Sequence, residues 1–321
     1  MTLATGPART VRDDGAGGRP ARDGRQHVTD SPPASTAAAL ELVGLGPLTA
    51  LSSGSADVAV GLVDGPVSVD HPDLAAARIR PVGNDRSACS RLGSAPCAHG
   101  TFVAGILVAR RGSLAPAICP GCTLLVRPIF RETLADGAPP AASPDDVGHA
   151  IVECVDAGAR IVNLSAATGV PTTRLEIGLR EALDYAARRG AIVIAAAGNQ
   201  GALGSSEITR HPCVIPVVAY DLRGRPLGQS NFGFSAGRQG LGAPGEGIVS
   251  LAAEGTPAPG AGTSLAVAFV TGAFALLWSL FPDADAGRLR RALSHGLRRT
   301  TVIPPLMDAQ AAYEVLGRGI R

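Results

Sequence analysis

Four residues of this chain have the types needed to break an acyl bond together: Asp64, His99, Asn199 and Ser264. A serine hydroxyl is too weakly acidic to attack a peptide carbonyl unaided. It needs a base, and the base needs a carboxylate to fix its tautomer. Ser264 stands in Gly262-Thr263-Ser264, His99 opens His99-Gly100-Thr101-Phe102-Val103-Ala104-Gly105, and Asp64 closes an apolar run. Charge that develops on the attacked carbonyl oxygen needs a donor, and one such donor contributes about 3 kcal/mol. The amide of Asn199, in Ala195-Ala196-Ala197-Gly198-Asn199, fits that role beside the backbone N–H of Ser264. Taken singly, each residue has a plainer reading. Asp64-Gly65-Pro66 is also a good turn, His99 and Ser264 also suit helix starts, and Gly198-Asn199 also suits a left-handed turn. Their joint occurrence in this order favours the chemistry.

Such residues have to be held by regular elements, and the hydrophobic pattern supplies them. Val58–Val63 reads as a buried strand ending at Asp64, and His99–Arg110 has helical spacing. Thr123–Phe130, Arg160–Ser165, Ala191–Ala196 and Val214–Ala219 read as further strands. Ser143-Pro144-Asp145-Asp146 is a helix start, with a capping hydroxyl, Pro in the first turn and acids favoured by the dipole. Leu175–Arg189 is an amphipathic helix that stops at Gly190. Ser264–Phe281 is the most apolar helix, followed by closing helices over Ala284–His295 and Asp308–Leu316. Continuous apolar strands alternating with helices predict an α/β fold, a single doubly wound, mainly parallel sheet with helices on both faces. Ligands of such sheets gather beyond the carboxyl ends of the strands. Asp64 and Gly198-Asn199 fall there, and His99 and Ser264 fall at helix starts.

The composition bounds the rest. The chain has 321 residues, 45% hydrophobic and only 3% aromatic, so its core has to be aliphatic. A net charge of +2 is too balanced for nucleic acid as a partner. Residues 1–35 hold charges and Gly-rich runs and no apolar stretch of the kind a secretory signal needs. The expectation is therefore a cytoplasmic protein, with Cys89, Cys97, Cys119, Cys122, Cys154 and Cys213 as reduced thiols. Cys119-Pro120-Gly121-Cys122 leaves three readings open: a redox pair, half a metal site completed by Cys89 and Cys97, or plain buried cysteines, the last being favoured. Leu265–Phe281 invites a membrane reading but is shorter than the roughly 20 residues of a span. A core helix buried on all sides explains it better, so no membrane partner is expected.

These motifs resemble the subtilisin-like serine proteases, the subtilases, over roughly residues 55–317. The resemblance is carried by Val58–Asp64 with His71-Pro72-Asp73-Leu74, by His99–Gly105 and Ile161–Ser165, and by Ala196–Asn199, Ala243-Pro244-Gly245 and Gly262–Ser264. A narrower resemblance, to the cyanobactin (patellamide-type) maturation proteases, rests on Leu62–Val67, Arg127-Pro128-Ile129-Phe130, Ser230-Asn231-Phe232-Gly233 and Leu241–Glu246. The family implies a subtilisin-like peptidase domain, here over 51–321, and the polar, Gly-rich residues before it read as a disordered or weakly ordered arm over 1–50, with a short helix at Ala37–Val43. It also implies Asp64, His99 and Ser264 as catalytic residues and Asn199 in the oxyanion hole. Substrate would add as a strand along Leu164, Ser165, Ala166 and Ala167, with Ala196, Ala197 and Gly198 lining the pocket for the residue before the cut. No cofactor and no metal are expected, and the partner is a peptide or protein substrate.

The sequence departs from the family at Phe102, where a second histidine is usual, and at Ala268, where a proline is usual. Ser165-Ala166-Ala167 also replaces the usual Ser-Leu-Gly edge. Cyclising relatives carry a helical insertion near the catalytic histidine, and the gap between Asp64 and His99 leaves little space for one. The expected function is therefore hydrolytic removal of the leader from a ribosomally made precursor peptide. A macrocyclising transpeptidase and a catalytically inactive peptide-binding subtilase are the alternatives.

Overall fold

Runs such as Val60–Val63 and Ile192–Ala196 are apolar at successive positions, which suits a strand buried on both faces. The computed structural model, which describes residues 2–3, 34–83, 87–132, 141–167 and 176–318, arranges them that way. The strands that concern the site are β1 (Thr2–Leu3), β2 (Ala59–Asp64), β3 (Arg78–Pro81), β4 (Thr123–Pro128), β5 (Ile161–Leu164), β6 (Ala166–Ala167), β7 (Ile192–Ala196), β8 (Val214–Tyr220) and β9 (Leu241–Pro244). Seven of them make one sheet in the order β3-β4-β2-β5-β7-β8-β9, parallel at every pairing. On the β2 side the chain lays down the edge strand β3 first and then inserts β4 between it and β2, and on the β5 side it builds outwards in order. The switch point therefore lies between the carboxyl ends of these two strands, where a doubly wound sheet opens a crevice.

The helices are α1 (Ala34–Leu42), α2 (Leu45–Leu51), α3 (Ala95–Val108), α4 (Pro144–Asp156), α5 (Ile177–Arg188), α6 (Glu207–Arg210), α7 (Phe234–Gln239), α8 (Thr263–Leu280), α9 (Ala286–Ser294) and α10 (Ala309–Arg318). One core lies between the sheet and α3 and α8, around Phe269, Phe274, Ile106 and Leu107. A second lies on the opposite face under α4 and α5, around Val147, Ile151, Leu179 and Leu183. Ser143 caps α4 in a capping box with Asp146, as the sequence predicts.

Three expectations are corrected. In the arm assigned to residues 1–50, α1 overlaps the short helix expected at Ala37–Val43 and α2 is an unexpected second helix, because Ala39, Val43, Leu45 and Leu48 together bury an apolar face in the first core. Residues 4–33 of that arm and 168–175, which include the expected start of α5, lie outside the described residues. The helix bearing His99 begins four residues earlier, at Ala95, where Ser94 accepts the N–H of Cys97 and Pro96 fills the first turn. The third correction concerns two cysteines. Cys89 and Cys97, read as reduced thiols, form a disulfide with their Cα atoms 5.6 Å apart, well inside the reach of an S–S bridge. Cys119 and Cys122 are free and buried. Their mutual hydrogen bond raises the Cys119 thiol and lowers that of Cys122.

Candidate active site

Asp64 is the last residue of β2 and is fully buried. The Gly65 N–H donates to its Oδ1 at 2.6 Å, and Nδ1 of His99 lies 2.7 Å from the same oxygen. Oδ2 has no hydrogen-bond partner. A carboxylate held against one ring nitrogen fixes which nitrogen carries the proton and leaves the other, Nε2, as the base. The helix carrying His99 approaches the turn after β2 backbone to backbone. A Cβ at Gly100 would sit 2.4 Å from the Pro66 carbonyl oxygen, so only glycine permits this contact.

The loop before α3 is also clamped. The disulfide joins Cys89 to α3 two residues before His99. Glu132 accepts the N–H and hydroxyl of Ser90, the N–H of Arg91 and the hydroxyl of Ser94. Burial pushes its carboxyl up, but these four bonds outweigh burial and hold it below the usual glutamate value.

Ser264 is the second residue of α8, and its Oγ lies 2.9 Å from Nε2 of His99. By length and composition α8 could cross a membrane, yet it is buried inside the core. Ala268, where the family has proline, is buried within this unbroken helix. Two buried polar residues pin the helix to the sheet. The Thr271 hydroxyl donates to Oδ1 of Asn163 at 3.0 Å, and Nδ2 of Asn163 donates to the Ser165 hydroxyl at 2.9 Å. At the helix start, Oδ1 of Asn199 accepts the Thr263 N–H at 3.0 Å, and the Gly198 N–H reaches the Thr263 hydroxyl at 3.3 Å. The other half of the Asn199 amide, Nδ2, is buried and has no partner. A buried donor left unpaired costs about 1–3 kcal/mol, and this one is fixed one residue from the serine that would create an oxyanion.

The expected substrate-binding residues lie at the carboxyl ends of β5 and β7. Leu164, Ser165 and Ala166 are buried, and Ala196 and Ala197 line the end of β7 beside Gly198. The backbone of β6 pairs antiparallel with β1, Ala166 opposite Leu3 and Ala167 opposite Thr2. This edge therefore already takes an added strand in the way a peptide would. Sequence reasoning missed Thr263, Asn163 and Thr271. A polar residue inside an otherwise apolar helix or strand is the signal that finds the last two.

A buried carboxylate–imidazole–hydroxyl chain at the switch point of a parallel sheet, with an amide donor beside it, is the arrangement that serine hydrolases use. Residues 55–307 match the model of the Subtilase family. The chain belongs to that family. It is 32% identical over 235 residues to the thermophilic serine proteinase of Bacillus sp. (strain AK1), covering 71% of this chain and 54% of that one. Among solved structures it is similar to a mutant of the protease domain of PatA, with a TM-score of 0.75 and 29% identity over 83% of this chain and 97% of the other. The prenylagaramide maturation protease PagA gives a TM-score of 0.74 at 28% identity over 85% and 98% of the two chains. The chain spans about half the length, or less, of the first curated relatives it matches.

Proposed function

We propose that this chain is an endopeptidase that removes the leader from a ribosomally made precursor peptide, acting through one peptidase domain over residues 51–321. The observation that carries the reading is the continuous hydrogen-bond chain Asp64–His99–Ser264 beside the unpartnered amide donor of Asn199. Nε2 of His99 takes the proton of the Ser264 hydroxyl as Oγ attacks the carbonyl carbon, while Asp64 stabilises the imidazolium. The Asn199 amide and the Ser264 N–H hold the oxyanion. His99 then gives its proton to the leaving amine, and an acyl-enzyme remains. Water, deprotonated by His99, releases the acid. The substrate backbone pairs along Leu164–Ala167, and Ala196, Ala197 and Gly198 shape the pocket for the residue before the cut.

Similarity to PatA and PagA, both named as maturation proteases, supports a precursor peptide as substrate. A cytoplasmic site of action goes with this reading. The Cys89–Cys97 disulfide opposes it, because such bonds persist mainly in oxidising compartments. Alkylating thiols in fresh lysate decides between the two: both cysteines labelled supports a reduced compartment, and neither labelled overturns it. The function is tested by mass spectrometry of a peptide library incubated with the purified protein. Linear fragments are expected. Products lighter by one water would replace hydrolysis with cyclisation, and no cleavage would overturn the reading.

A further inference from the structure

Asn231 lies in the loop after β8, in Ser230-Asn231-Phe232-Gly233, and is 7% exposed. Its side chain makes four hydrogen bonds, all to the segment that carries Asn199. Oδ1 accepts the N–H of Gln200 at 3.1 Å and of Ala202 at 2.9 Å. Nδ2 donates to the Ala197 carbonyl at 3.1 Å and to Oε1 of Gln200 at 2.8 Å. Its own N–H donates to the Gly198 carbonyl at 2.9 Å. The two donors and the oxygen of one amide are thus fully engaged, and they grip the chain on both sides of Asn199. Gly198 belongs to the same device. It has φ +104°, and a Cβ there would lie 2.4 Å from Nδ2 of Asn231.

Asn199 is therefore held at two points. Thr263 fixes its side chain through Oδ1, and Asn231 fixes the backbone from which that side chain grows. An oxyanion donor works only when its geometry is set to within about 0.5 Å, so the support is as necessary as the donor. We propose that Asn231 is a positioning residue for the oxyanion hole, acting through Asn199 and not on the substrate. The inference rests on the oxyanion role of Asn199 given above.

A double-mutant cycle tests it, using the wild-type protein, Asn231→Ala, Asn199→Ala and the double variant. The probe is an internally quenched peptide taken from the cleaved members of the library, and thermal unfolding is followed in parallel. Asn231→Ala is expected to lower kcat about 10- to 100-fold with KM within about threefold. In the Asn199→Ala background the same change is expected to cost less than about threefold, because the group it serves is gone. An equal loss in both backgrounds would make Asn231 a general structural residue and overturn the proposal. So would a rise in KM with kcat unchanged. If Asn231→Ala does not fold, Asn231→Asp is used in the same cycle. It keeps the acceptor for Gln200 and Ala202 and loses the donation to Ala197. An unchanged kcat in Asn199→Ala would instead overturn the oxyanion reading itself, and this proposal with it.

Discussion

The two faces of the sheet are built differently. On one face α4 and α5 bury a single stripe each, Val147, Ile151 and Cys154 in α4 and Leu179, Leu183 and Ala186 in α5, and turn their other sides to water. On the opposite face α8 is buried from Thr263 to Trp278 without interruption, and α3 is buried from Val103 to Val108. The first core also takes in Leu45 and Leu48 of α2, Leu289 of α9 and Ala312 of α10, which cover α8 from outside. Both helices that carry a candidate catalytic residue, α3 with His99 and α8 with Ser264, belong to this doubly covered face. A helix packed on all sides has little freedom to tilt, and a chain of hydrogen bonds between 2.7 and 2.9 Å needs that rigidity. The half-covered helices α4 and α5 carry none of the four candidate site residues.

Substitutions on the two faces are therefore expected to separate rate from stability. Ser264→Ala removes the nucleophile and is expected to lower kcat by about 10⁴-fold or more at an unchanged melting temperature, read by peptide cleavage and calorimetry. Asn199→Ala leaves the attack possible but removes one oxyanion donor, for a loss of about 10²- to 10³-fold in kcat. Leu183→Ala on the opposite face is expected to cost about 3 kcal/mol of stability by denaturant unfolding, with kcat of the folded fraction unchanged. A comparable fall in kcat would break the division between the faces. Ser143→Ala removes the cap of α4 and is expected to cost about 1 kcal/mol, again without effect on rate.

The smallest effect concerns the clamp before α3. Glu132 has a lowered carboxyl pKa in the folded protein, so it contributes stability above the ordinary value of 4.5 and loses it as pH falls below that value. Thermal unfolding followed from about pH 6 to about pH 3 is expected to show this acid-side loss diminished in Glu132→Gln.

Much of this architecture is legible in the sequence, because β2 up to Asp64 and all of β7 are apolar runs, and β5 and α8 are apolar but for a few polar residues such as Asn163 and Thr271. Asp64 and Ser264 stand out because one ends an apolar run and the other begins an apolar helix, while Asn199 follows β7 by three residues and His99 lies one turn inside α3. What escaped is long-range or local in a different sense. The edge strand β3, Arg-Ile-Arg-Pro, has no apolar run to mark it, since only Ile79 is even partly buried. Residues 45–51 hid their helix, α2, because its apolar partners come from distant elements such as α8 and α10. The Cys89–Cys97 bridge depends on a loop closing back on the start of α3, which spacing alone does not reveal. Asn231 and Thr263 bond the Asn199 segment across more than thirty residues of chain.

The central claim is that Ser264 is a nucleophile activated by His99. Intact-mass analysis after exposure to a fluorophosphonate tests it most directly. One adduct per chain at Ser264 is expected for the wild-type protein, with labelling slowed by orders of magnitude in His99→Ala and abolished in Ser264→Ala. A wild-type protein that takes up no label, or a Ser264→Ala variant that labels as fast as wild type, would contradict the account.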